Sequence, residues 1–131
     1  MSSPYEAGEA DVLVVIDPQV DFCPGGALAV AGGHEIMAPI NALARRFAHV
    51  VITQDWHTPD QISFASNHRG RQPFETIEVA YGLQTLWPDH CLQGSPGAAF
   101  HPALDLPQAE LILRKGFRPR VDSYSAFFEN D

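Results

Sequence analysis

The sequence predicts an α/β fold built on a mostly parallel sheet. Three observations carry that expectation. Val12 to Ile16 and the stretch at about 49–54 are short apolar runs, each followed by an aspartate, Asp17 and Asp55. A run that is apolar on both faces suits a strand buried in a parallel sheet. A helical pattern lies between them, and the β–α–β order implies a parallel crossover.

The elements follow in order. Residues 1–10 read as a loose leader, and 11–131 as part of a single domain. Residues 23–33 are glycine-rich and read as a loop. A helix is expected over about 34–47, where Ile36, Ile40, Leu43 and Phe47 share one helical face. Pro39 is tolerable there only in the first turn. The second strand covers about 49–54. Residues 56–108 read as one long irregular segment, and a loop of that length in a compact domain is usually functional or wrongly assigned. Leu111 to Leu113 form the core of a third strand leading into Arg114 and Lys115. The tail from Gly116 shows no helical pattern. Three strands with one covering helix leave an apolar face and an open edge, so the fold is expected to be incomplete on its C-terminal side.

Composition narrows the function. The 131 residues suit one domain, and 45% hydrophobic content supports a globular core. Sixteen acidic residues against 8 basic ones give a net charge of −8, which argues against nucleic acid and anionic membranes as partners. No apolar run approaches a membrane span. MSSPYEAGEAD lacks the basic and apolar regions of a signal peptide. Two cysteines, Cys23 and Cys91, are too few for a disulfide framework. The cytoplasm is the expected location.

The chemistry gathers where strands end. Asp17, Asp55 with His57, and Lys115 each follow an apolar run, and α/β sheets bind ligands beyond the carboxyl ends of their strands. In Asp55-Trp56-His57, residues i and i+2 point to one side and offer a carboxylate and an imidazole to a divalent metal. His90 is the best further ligand. Mixed N and O donors suit Zn, Mn or Fe. The plain alternative is that Asp55 caps a turn and the histidines are merely exposed. Asp17 and Lys115 form either an acid–base pair or a structural salt bridge. Cys23 and Cys91 are either activated thiols or small inert residues. Phe22, Trp87 and Tyr124 either wall a pocket for a flat ring or fill the core.

Five segments in order resemble the nicotinamidase branch of the isochorismatase-like hydrolases. They are Asp17-Pro18-Gln19-Val20-Asp21-Phe22-Cys23-Pro24-Gly25-Gly26, Thr53-Gln54-Asp55-Trp56-His57, the stretch Trp87 to Ala98, Lys115-Gly116, and Asp122 to Phe127. The resemblance runs from about Asp11 to Asp131. It implies a three-layer sandwich on the parallel sheet. It also implies a metal-dependent amidase that converts nicotinamide to nicotinate and ammonia in NAD salvage.

Each role follows from the resemblance. Asp17 is implied as general base and Lys115 as its charged companion. Asp55, His57 and His90 would hold one divalent transition metal. Phe22 and Trp87 would sandwich the ring, with Tyr124 bordering it. The family's nucleophile is a cysteine in a later Thr-Asp-x-Cys-type segment, so none is expected within these residues. Ser63 is the nearest polar candidate for a fourth ligand, and a poor one. A second chain supplying the C-terminal part and a homo-oligomer are both open. So are two other readings: a related amidase with a different substrate, and a non-catalytic metal-binding fragment.

Overall fold

The structure is a computed structural model that describes residues 5–131. The first four residues of the expected leader lie outside the described residues. The remainder of that segment is anchored: Tyr5 stacks on Phe47 at 6.3 Å, and Arg46 donates to the Tyr5 carbonyl at 2.7 Å.

Three strands, β1 (Val12–Val15), β2 (His49–Asp55) and β5 (Ala109–Lys115), form a parallel sheet in the order β1-β2-β5. The central strand is the best buried, as its apolar run predicts. Its register places Val15 beside Ile52 and Asp55 beside Lys115. The two charged strand ends are therefore neighbours by construction.

The covering helix α1 is Met37–Ala44, preceded by a 3-10 turn at Gly33–Ile36. It is shorter than the expected 34–47, and Pro39 does sit in its first turn. The expected apolar face is corrected too. Ile36 and Leu43 are exposed, whereas Met37 and Ala44 are buried and Ile40 and Phe47 pack on the core. The 3-10 turn winds fewer residues per turn, so extrapolating one helical phase back to Ile36 fails. The core proper is Val15, Ala44, Val50 and Ile52, closed by Phe100, Leu104 and Leu106. Side chains alternate along a strand, and the opposite face exposes Val12, Val14 and Leu111. That is the open apolar face the strand pattern predicts.

The segment 56–108 is not wholly irregular. It contains an antiparallel hairpin, β3 (Thr76–Val79) with β4 (Gly82–Thr85). Thr76-Ile77-Glu78-Val79 alternates as a half-buried strand should. Its connection is Ala80-Tyr81 rather than an Asn-Gly turn, which hides the hairpin. The hairpin matters because β4 leads into Trp87.

Candidate active site

The site forms where the parallel strands end. Asp17 has φ 46°, a left-handed conformation unusual for a residue with a side chain. Thr53 explains how it is held. The Asp17 N–H donates to Thr53 Oγ1 at 3.1 Å, and the Thr53 hydroxyl donates to Asp17 Oδ1 at 2.6 Å. Strain kept in place by such bonds is commonly found at functional sites. From β5, the Lys115 ammonium reaches Asp17 Oδ2 at 2.8 Å and also donates to Asp55 Oδ1. Lys115 is 5% exposed and Asp55 7%. Burial disfavours the lysine charge, yet the two carboxylates outweigh it and raise its pKa. Burial likewise opposes ionisation of Asp55, but His57, His90 and Lys115 together hold its carboxyl well below the usual range.

His57 and His90 arrive on two stitched segments. The His57 N–H donates to the Cys91 carbonyl at 3.0 Å, and the Gln93 N–H donates to the His57 carbonyl at 2.9 Å. Each imidazole is oriented by a backbone oxygen. His57 Nδ1 lies 2.7 Å from the Gly116 carbonyl, and His90 Nδ1 lies 2.8 Å from the Pro88 carbonyl. A carbonyl only accepts, so each Nδ1 donates, and Nε2 is the nitrogen left to face a metal. Those Nε2 atoms lie 3.5 and 3.7 Å from Asp55 Oδ2. The three donor atoms all fall within 4.8 Å of one another. Bonds of about 2.0–2.2 Å at tetrahedral angles place ligands about 3.4 Å apart, so the residues fit a shared divalent metal ion. Charge agrees: two carboxylates, Asp55 buried and Asp17 partly buried, face one ammonium beside the two imidazoles. In the metal-free protein, burial opposes protonation of His57, but Asp55 and Asp122 outweigh it and raise its pKa. Gly116 has φ 65°, and a Cβ there would collide with the His57 ring. The lysine turn therefore needs glycine.

A cavity of about 190 Å³ opens over these groups. Asp17, Asp55, His57, His90 and Lys115 line it, and so do Phe22, Trp87 and Tyr124. Drug-sized ligands occupy roughly 300–1,000 Å³, so this cavity suits a single flat ring. The Tyr124 hydroxyl accepts from Gln84 Nε2 at 2.6 Å and from Trp87 Nε1 at 3.2 Å. The Phe22 ring lies 5.6 Å from that of His90. A larger hollow of about 400 Å³ shares Asp17 and Phe22 but otherwise has mainly apolar walls. It lacks the convergent polar groups of a chemical site.

Ser63 does not line the smaller cavity; it is fully buried and its hydroxyl has no hydrogen-bond partner. Cys91 is buried, and burial together with Asp55, Asp21 and Asp17 pushes its thiol far up. Burial also raises Cys23. Sequence reasoning gave no role to Leu28 and Asp122 on the cavity wall, or to Gln61. Gln61 Nε2 donates to the Gly116 carbonyl at 2.9 Å beside His57. Gln61 follows His57 by four positions along the chain, but with no helix there no periodicity could reveal the contact.

Comparisons with known proteins place the chain in a family and a fold. The isochorismatase domain model matches residues 11–131. The chain belongs to the isochorismatase family. It is 60% identical over 119 residues to a nicotinamidase of Acinetobacter baylyi, covering 91% of this chain and 56% of that protein. It superposes with a TM-score of 0.92 on an Acinetobacter baumanii nicotinamidase/pyrazinamidase, at 57% identity, covering 94% of this chain and 59% of the other. A Pyrococcus horikoshii pyrazinamidase in complex with zinc gives a TM-score of 0.71 at 36% identity, over 88% of this chain and 57% of the other. The chain thus spans little more than half the length of the relatives it matches. The isochorismatase-like fold on a parallel sheet is confirmed.

Proposed function

We propose that this chain carries the metal-binding and proton-transfer part of a nicotinamidase, an amidase that hydrolyses nicotinamide to nicotinate and ammonia. One observation carries the reading: Lys115 bridges Asp17 and Asp55. The proton-transfer carboxylate and the metal-ligating carboxylate thereby form one buried array under a ring-sized cavity. The relatives named nicotinamidase support the choice of substrate.

In this reading Asp55, His57 and His90 would hold one divalent transition metal, zinc, manganese or iron, which would supply a Lewis-acid anchor for the substrate. Phe22 and Trp87 receive the two faces of the pyridine ring, and Tyr124 borders it. Asp17 takes the proton of a cysteine thiol, and the thiolate attacks the amide carbon. Asp17 returns that proton to the departing ammonia as the C–N bond breaks. Water then hydrolyses the thioester, with Asp17 as base. Lys115 places its ammonium 2.8 Å from Asp17 Oδ2 and so orients that carboxylate toward the reacting groups. We assign the nucleophile to neither Cys23 nor Cys91, because both are buried with raised thiol pKa values. It is expected on a segment outside residues 1–131, on the same chain or a second one. The cytoplasm remains the proposed location; among the described residues no helix is long and apolar enough to cross a membrane.

The test combines elemental analysis with ammonia release. The chain should bind close to one transition-metal ion, lost in His57→Ala and His90→Ala. It should release ammonia from nicotinamide only when the cysteine-bearing segment is present, and Asp17→Ala should abolish that. Robust turnover by residues 1–131 alone, abolished by Cys23→Ala or Cys91→Ala, would show the nucleophile misplaced.

A further inference from the structure

We infer that the turn Gln19–Asp21 is the template of the metal site, with Gln19 and Asp21 as positioning residues that fix Asp55 relative to His90. The inference rests on the metal reading above and assigns two residues that no donor set includes.

Gln19 acts on Asp55. Strand β1 pairs with β2 only as far as Val15 beside Ile52, so the ladder stops before Asp55. The fully buried Gln19 side chain takes the place of the missing strand. Its Nε2 donates to the Asp55 carbonyl at 2.8 Å, and its Oε1 accepts the Asp55 N–H at 2.8 Å. The second Nε2 hydrogen goes to the Ala98 carbonyl at 2.9 Å. Both peptide groups of the carboxylate ligand are thus gripped by one rigid amide. Losing that amide leaves buried backbone groups without partners.

Asp21 acts on the other arm. Cys91 directly follows the ligand His90 and has φ 48°, a conformation that costs energy for a residue with a Cβ. Asp21 Oδ2 accepts the Cys91 N–H at 2.7 Å, and Oδ1 accepts the Ala27 N–H at 3.1 Å. Its own N–H donates to the Gly97 carbonyl at 3.0 Å, and a Cβ on Gly97 would collide with its carboxylate. Both oxygens are thus engaged by N–H groups, which makes Asp21 a holder of the turn rather than a fourth ligand. One turn therefore holds both arms of the donor set. Phe22, the next residue, reaches the His90 ring from the same turn. Partners of this kind commonly contribute 10–100-fold in metal affinity.

The experiment measures zinc and cobalt(II) affinity of the full chain by chelator competition, with the visible spectrum of the cobalt form as a geometric readout. Gln19→Met and Asp21→Asn should each lower affinity roughly 10–100-fold and change the cobalt spectrum. Asn41→Ala is the control. It removes a comparable amide pair, to the Ala103 carbonyl at 2.8 Å and the Asp105 N–H at 2.8 Å, where the donor set is not touched. It should lower stability and leave metal affinity unchanged. Affinity within twofold of the unsubstituted chain in both Gln19→Met and Asp21→Asn, with an unchanged spectrum, overturns the inference. If Gln19→Met fails to fold, Asp21→Asn decides alone, since it keeps one acceptor oxygen. An unsubstituted chain that binds no metal, or a His57→Ala variant that binds it undiminished, overturns the metal reading and this inference together.

Discussion

The same three strands behave oppositely at their ends and on their outer face. At the carboxyl ends charge is buried: side chains of Asp17, Asp55 and Lys115 keep only 14%, 10% and 5% of their exposure. On the face away from α1, apolar groups are exposed, with Leu111 at 50% and Val12 at 48%. Each is the reverse of what solvent favours. The first is compensated within the described residues by ion pairs and hydrogen bonds; the second is not. The charge cluster draws its partners from the described residues, while its net negative charge leaves room for a cation; the exposed apolar face has no such partners among them.

The largest expected effect comes from removing the compensation. Lys115→Met leaves the buried Asp55 and the partly buried Asp17 without their shared cation, and breaking a buried pair in this way costs about 3–5 kcal/mol. Urea unfolding of the metal-free chain should show a loss of that size, and saturating zinc should recover part of it. A loss under about 1 kcal/mol would mean that water already screens the array. Next in size is the covered face. Ile52, at 4% exposure, should lose about 2–5 kcal/mol on substitution by alanine, measured by the same unfolding curve.

A smaller effect concerns the ring wall. In the enzyme with its cysteine segment present, Trp87→Ala should raise KM for nicotinamide with little change in kcat. Ring stacking contributes about 0.5–1.5 kcal/mol beyond area burial, which corresponds to roughly two- to twelvefold. An unchanged KM would remove Trp87 from substrate contact.

The contrast also explains what the sequence made legible. Strand ends show because an apolar run stops at a charge, as at Asp17, Asp55 and Lys115. The residues alone offer His90 as a ligand and Phe22, Trp87 and Tyr124 as a pocket wall only as one of two open alternatives, and the resemblance is what favours it, since no periodicity connects residues on separate loops. Gln19 and Gln61 stayed hidden for a related reason. An amide that pairs with distant backbone leaves no mark on local pattern, and its role appears only once the chain is folded. The hairpin β3–β4 was readable in the alternation of Thr76 to Val79 but was concealed by its Ala80-Tyr81 turn. The helix face went astray at Ile36 because a 3-10 turn precedes α1.

The smallest effect is expected on the exposed face, and it tests the comparison from its other side. Leu111→Thr and Val14→Thr remove apolar groups that contact little within the described residues. Surface changes of this kind usually fall within about 0.5 kcal/mol. Threonine is itself β-branched, a shape that strands favour, so backbone preference should not obscure the result. The unfolding midpoint of residues 1–131 should therefore barely move, in contrast to Ile52→Ala. Aggregation should decrease, because large contiguous apolar patches promote association. With a C-terminal segment like that of the longer relatives present, the same substitutions should become costly, since parallel sheets are normally covered on both faces. A loss above about 1 kcal/mol in the chain alone would have another meaning if the midpoint also rose with protein concentration. A second copy of the chain would then already occupy this face, because stability linked to association depends on protomer concentration.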